Sequence, residues 1–166
     1  MGIQILVDGE GLTELCAVDI PDGTVMREVV VEVATKGGFS PEEAFLFVED
    51  DGTPIELDIV IDENYDRGRV HHVHRARTIE VVVNYARDKK TKHFPPSARV
   101  ERVLIWAIGP DGFNIDQAIA PEMELALEGQ TEELPGTAHI GRYVRHHRHC
   151  LELTLIRGEI MNGAES

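Results

Sequence analysis

The chain has 166 residues, 42% of them apolar, and a formal net charge of −14. That length admits one ordinary domain or two small ones, and the acidity sets the protein against phosphate backbones and anionic membranes, which argues against nucleic-acid and lipid binding. Residues 1–77 hold 6 Lys/Arg against 17 Asp/Glu, and residues 78–166 hold 10 against 13, so the halves carry −11 and −3. No apolar run is long enough to span a bilayer, and the opening MGIQILVDGEG lacks the basic and apolar regions of a secretory signal. Cys16 and Cys150 make no disulfide framework, so a cytoplasmic setting is expected.

IQILVDG (3–9) alternates Ile3, Ile5 and Val7 as a half-buried strand does, and Gly9 opens a turn. TELCAVDIP (13–21) sets Leu15, Ala17 and Asp19 against Cys16 and Val18, so the first two strands read as a hairpin that Pro21 ends. In DGTVMREVVVEVATKGG the spacing of Val25, Val29 and Val33 predicts a helix, with Thr24 at its N-cap and Gly37-Gly38 at its C-terminus. Short strands are expected at 45–48 and near 55–57, around a turn through Asp51-Gly52, and RVHHVHR (69–75) supplies the last strand.

The second half repeats that order. TIEVVVNYA (78–86) is a strand with Ile79, Val81 and Val83 on one face, and TKHFP is a weaker one. SARVERVLIWAIG (97–109) is the clearest helix in the chain: Ser97 is its expected cap, its apolar stripe is Val100, Val103, Leu104, Ala107 and Ile108, and Gly109-Pro110 stops it. EMELALEGQTEELPG gives a strand, a turn at Gly129 and a short extension. CLELTLIRG (150–158) closes the half by alternating Leu151, Leu153 and Leu155 with Glu152 and Thr154. One element order written twice about 75 residues apart is an internal repeat, with HRART (74–78) as its short joint.

The histidine runs RVHHVHR and RHHRHC (145–150) raise the question of a metal centre. On a strand, His72 and His74 share a face and His71 points the other way, so that run offers two ligands at most, fewer than a closed site needs. The two runs also fall at different places in the repeat, so their likeness is chance, and no metal or cofactor is expected. Nor does a nucleophile emerge. TKGG lacks the spacing of a phosphate loop, no serine lies in a nucleophile elbow, and neighbouring His149 and Cys150 point apart on a strand.

Strand, strand, helix, strand, short strand, strand is the order of the ubiquitin-like β-grasp fold. MGIQILVDGEGLTELCAVDIP resembles ubiquitin's opening hairpin, and DGTVMREVVVEVATKGGFSPEE its helix and following turn. MELALEGQTEELPGTAHIGRYV resembles the strand, glycine turn and loop that come later, and HCLELTLIRG the final strand. The fold class expected is therefore α+β: two tandem ubiquitin-like β-grasp domains at 1–75 and 78–158, followed by a C-terminal tail at 159–166. The family most closely resembled is the modifier of bacterial Bil-type antiphage operons, which accompany E1-like, E2-like and JAB-type metallopeptidase proteins.

That resemblance implies a bacterial protein modifier, a substrate of those enzymes and not itself an enzyme, attached through its terminal carboxylate to target proteins. The terminal residue of such a tail is glycine, because the absence of a Cβ lets backbone approach backbone. Two positions qualify. With strand pairing ending near Ile156, Gly163 reaches about 23 Å beyond the sheet and Gly158 only about 7 Å. The expected scissile bond therefore precedes Ala164, with Gly158 the alternative and Arg157, Ile160 and Met161 as tail contacts to the enzymes. By the same resemblance, Ala126 and Thr154 stand where ubiquitin has its apolar docking patch, giving a smaller and more polar face. The chain is expected to be a monomer. The competing readings are a tandem adaptor that is never conjugated, a sulfur carrier, and, last, an enzyme.

Overall fold

Alternating burial builds the first sheet. In β1 (Gly2–Gly9) Ile3, Ile5 and Val7 enter the core, and in β2 (Cys16–Pro21) Val18 and Ile20 do the same. The computed structural model, which describes residues 2–65, 68–148 and 150–158, pairs these strands antiparallel with Ile5 opposite Val18. β3 (Phe45–Val48) and β4 (His71–His74) complete a four-stranded sheet of order β2-β1-β4-β3, in which β4 runs parallel to β1. Across one face lies α1 (Arg27–Gly37), whose Val29, Val30 and Val33 are fully buried. Valine is a modest helix former, but burial contributes about 1.5–3 kcal/mol per side chain and outweighs a propensity cost of a few tenths.

The second sheet repeats the first. Strands β5 (Ile79–Tyr85), β6 (Asp88–Phe94), β7 (Met123–Leu127) and β8 (Cys150–Arg157) take the order β6-β5-β8-β7, with β8 parallel to β5. Helix α2 (Val100–Ile108) buries Val103 and Ala107 against Ile79, Val81, Val83, Leu151, Leu153 and Leu155. Each sheet has its own apolar core.

Three local expectations give way to tertiary structure. Neither Thr24 nor Ser97 caps its helix: α1 begins after Met26 and α2 after Arg99, without a side-chain cap at either. Backbone carbonyls do the work instead. The amides of Met26 and Arg27 donate to Ile59 O and Leu57 O at 2.8 and 2.9 Å, and those of Val100 and Glu101 to Ala138 O and Gly136 O at 2.8 and 3.0 Å. A returning loop thus satisfies the first-turn donors that a cap would have taken. Ser97 is drawn elsewhere, its Oγ donating to Asp51 O in the first half. The short strand expected near 55–57 does not form. One bond, from Ile55 N to Leu46 O (2.7 Å), ties that segment to the sheet before it turns away to meet α1.

Leu153, fully buried at the centre of the second core, should cost about 2–5 kcal/mol when replaced by alanine. Ile105, 67% exposed on α2, should cost under about 0.5 kcal/mol. Denaturant unfolding of Leu153→Ala and Ile105→Ala checks both values.

Candidate functional site

The C-terminal arm leaves the protein from β8. That strand pairs with β7 through Arg157, opposite Met123, and the next amide, Gly158 N, donates to Glu122 O at 2.7 Å. Pairing therefore continues past Ile156, and Gly158 is held at the sheet. Arg157 donates through Nε to the Glu122 carboxylate, and a Cβ at Gly158 would press on the carboxylate of Glu124. Burial, with a hydrogen bond to Glu133, raises the Glu124 carboxyl above its usual range. Gly163, Ala164, Ile160 and Met161 lie outside the described residues.

The outer face of the second sheet is polar and of low relief. Asn84 donates to the Glu152 carboxylate (2.8 Å), and Ala126 lies directly across from Thr154. Thr154 is half-buried, but Ala126 is fully buried, its methyl too short to rise above its neighbours. Apart from half-buried Ile156, next along β8 on the same face, this site offers no large apolar side chain among the described residues.

A second cluster joins the two halves. Asp8 at the end of β1 is fully buried and meets Arg142, with Nε–Oδ1 and NH2–Oδ2 both 3.0 Å. Its oxygens also accept from Gly9 N (2.8 Å) and His139 N (3.2 Å). His72 and His74 stack on one face of β4, as strand alternation predicts, and that face looks at the second half. The partners fix their tautomers. His74 Nε2 donates to Val144 O (2.7 Å), and its Nδ1 accepts from Ala76 N (2.9 Å). His139 Nε2 donates to Glu49 (2.8 Å), leaving its Nδ1 to accept from His72 Nδ1 (3.0 Å). Glu10 closes the row, accepting from Arg75 at 2.6 Å and from His146 N at 2.8 Å.

Asp8, His72 and His139 are a donor set a metal ion could use, with ligand atoms within 4.8 Å of one another. Both Asp8 oxygens, however, are committed to a guanidinium and two amides, and the facing imidazole nitrogens share a proton. The group is a hydrogen-bonded joint. Sequence reasoning missed it because His139, Asp8 and Arg142 stand in no motif. The available signal was the charge split between the halves. Asp8, Glu10, Glu49 and Asp50 of the acidic half face Arg142, the His146 amide, His139, Arg99 and Arg102 of the other.

Lys36 Nζ lies 3.0 Å from Cys16 Sγ, and burial, with Glu80 beside it, pushes the Cys150 thiol up, against nucleophilic use. His149 lies outside the described residues.

The repeated unit, with each final strand parallel to the first and one helix across the sheet, makes this an α+β protein of two ubiquitin-like β-grasp domains. Residues 80–158 match the family described as BilA ubiquitin-like domain 2, a likeness that supports a Bil-type ubiquitin-like protein. Among solved structures, a crystal structure of a pParkin-pUb-UbcH7 complex is similar at 20% identity over 48% of this chain and 25% of that one, with a TM-score of 0.38. The Arabidopsis thaliana protein At2g32350 is 18% identical over 51% of this chain and 92% of that one, with a TM-score of 0.35. This chain thus spans about a quarter of the first of these. No curated protein matches. Among the described residues, no helix is long and apolar enough to cross a membrane.

Two predictions follow from the joint. Arg142→Ala strands the buried Asp8 carboxylate and should cost about 3–5 kcal/mol in denaturant unfolding. The second concerns acid. Burial, then His139, His74 and Arg142, holds the His72 pKa well below the ordinary 6.5, and burial, only partly offset by Glu10 and the Val144 carbonyl, lowers that of His74. Both rings are neutral in folded and unfolded chains above that value. Below it the unfolded chain binds protons that the buried rings refuse, so stability falls as pH drops from 6.5 toward the lowered folded values. Burial raises the Glu10 pKa, but Arg75, the His146 amide and His74 outweigh it and pull the carboxyl down to about 2, so its share is lost from 4.5 downward. Thermal melts should show a midpoint falling from neutral pH to about pH 5, by roughly 2–4 °C per kcal/mol lost. A flat profile would contradict the neutral-histidine assignment.

Proposed function

We propose that this chain is a bacterial ubiquitin-like modifier, processed at its C-terminal arm and joined through a terminal glycine to target proteins. Supporting this reading above all is the family match, which runs to Gly158, where β8 has just ended and the arm begins. The units in this reading are a first domain at 1–75, a second at 78–158 and a tail at 159–166. The chain acts as a substrate and not as an enzyme. An E1-like protein adenylates the terminal carboxylate, an E2-like protein carries it as a thioester, and a JAB-type metallopeptidase trims the tail. The setting is the bacterial cytoplasm and the role antiphage defence.

Gly158 is a poor terminus because its amide is engaged with Glu122 O. Five residues beyond it, Gly163 can stand at most about 17 Å from the sheet edge, enough to thread another protein's active-site channel. The arm is thus cut before Ala164, and Arg157, Ile160 and Met161 contact the enzymes. The linker HRART (74–78) contains no glycine, so the two domains travel as one modifier. The polar face around Ala126 and Thr154 suits partners other than receptors for ubiquitin's apolar patch.

Intact mass after co-expression with the flanking genes tests the reading. The expected result is loss of Ala164-Glu165-Ser166 together with adducts on other proteins. Gly163→Trp should abolish adducts and leave the melting temperature unchanged. A full-length mass without adducts, or conjugation undiminished by Gly163→Trp, would favour an unconjugated adaptor.

A further inference from the structure

Each sheet has two edges, and the four are treated differently. β3 is covered through the Ile55 N to Leu46 O bond, and β7 through Leu134 N to Leu125 O. Among the described residues, the outer edges of β2 and β6 carry no such covering bond, so each presents free backbone donors and acceptors. An open edge is a template for another strand.

The two open edges are the same strand of the repeated unit, and each borders a groove against its domain's helix. The groove between β2 and α1, about 610 Å³, is acidic, lined by Asp19, Glu28 and Glu32. Its one cation, Lys36, is occupied by Cys16 and Glu32. The groove between β6 and α2, about 300 Å³, is lined by the cations Lys92 and Arg102, and β6 itself carries Lys89, Lys90 and Lys92, three of the four lysines in the chain, against one acid, Asp88. Asp111 is its one lining acid. Each helix offers an exposed apolar side chain there, Val31 at 36% and Ile105 at 67%.

Charge selects among the possible edge pairings. β6 against β6 would oppose lysines across strands, and β2 against β2 would bring two acidic grooves together, each with Asp19 on the strand and Glu28 and Glu32 on the helix beside it, and both are unfavourable. Only β2 against β6 brings opposite charges together, and within one chain these edges belong to different sheets. We propose that a second copy of this chain docks by adding its β2 edge to the β6 edge of the first, head to tail. The contact is heterologous, so each addition leaves one acidic and one basic edge open and growth does not stop at a dimer. Against a net charge of −14 per chain the association is weak and rises with concentration. A monomer, as expected from the sequence, is its dilute limit.

Sedimentation of the full chain over a concentration series tests this, with circular dichroism confirming that each variant folds. Average mass should climb past the dimer without a plateau. Lys89→Glu/Lys90→Glu/Lys92→Glu makes both edges acidic, and Asp19→Lys/Glu28→Lys/Glu32→Lys makes both basic. Each alone should need about tenfold or more protein to associate, and an equimolar mixture of the two should recover association. Constant monomer mass in the wild type, a dimer plateau, or association insensitive to either variant would overturn the proposal.

Discussion

A buried ion pair governs this molecule. Asp8 and Arg142 come from different halves and are separated by more than 130 residues, yet each oxygen of the carboxylate has two donors within hydrogen-bonding distance. A carboxylate removed from water is tolerable only when fully paired, so the two sheets must be set to within a fraction of an ångström for the pair to exist. Everything near it obeys the same constraint. His72 and His74 are neutral because each of their ring nitrogens that has a partner meets the one its neutral tautomer requires. The remaining nitrogen, His72 Nε2, faces Gly141, where a Cβ would overlap the ring. Such a joint specifies one arrangement of the domains more sharply than it stabilises it, since a well-packed apolar seam could hold as firmly without demanding register.

Much of the fold was readable from the sequence, and the reason is periodicity. Ile3/Ile5/Val7 and Leu151/Leu153/Leu155 declare strands because burial on one face is a local property of alternation. Helix starts were misplaced because Thr24 and Ser97 are good caps only if nothing better arrives. In both helices a loop distant in sequence supplied carbonyls. The short strand near 55–57 failed for a related reason: its apolar residues were needed against α1, not in the sheet.

The candidate site divides the same way. Alternation sets His72 and His74 on one face, as found, but it carries no information on what that face touches. No spacing rule links Asp8 to Arg142 or His72 to His139, and only the fold brings them together. In the sequence the charge imbalance between halves speaks only against nucleic acids and membranes, whereas in the fold part of it is complementarity, acids of one domain meeting bases of the other. The same imbalance marks the open edges, where the groove between β2 and α1 is acidic and β6 is basic.

The long sequence separation across the joint bears on how the chain folds. Both sheets close through contacts within their own halves, but the bonds from His139 and His146 to Asp8 and Glu10 span 131 and 136 residues. Contacts so distant in sequence form late. A first domain emerging from the ribosome therefore waits with its seam uncovered until most of the second has been made. Because that waiting surface is rich in carboxylates and imidazoles, it stays hydrated and offers little for another nascent chain to stick to, which is the usual hazard of half-made tandem proteins.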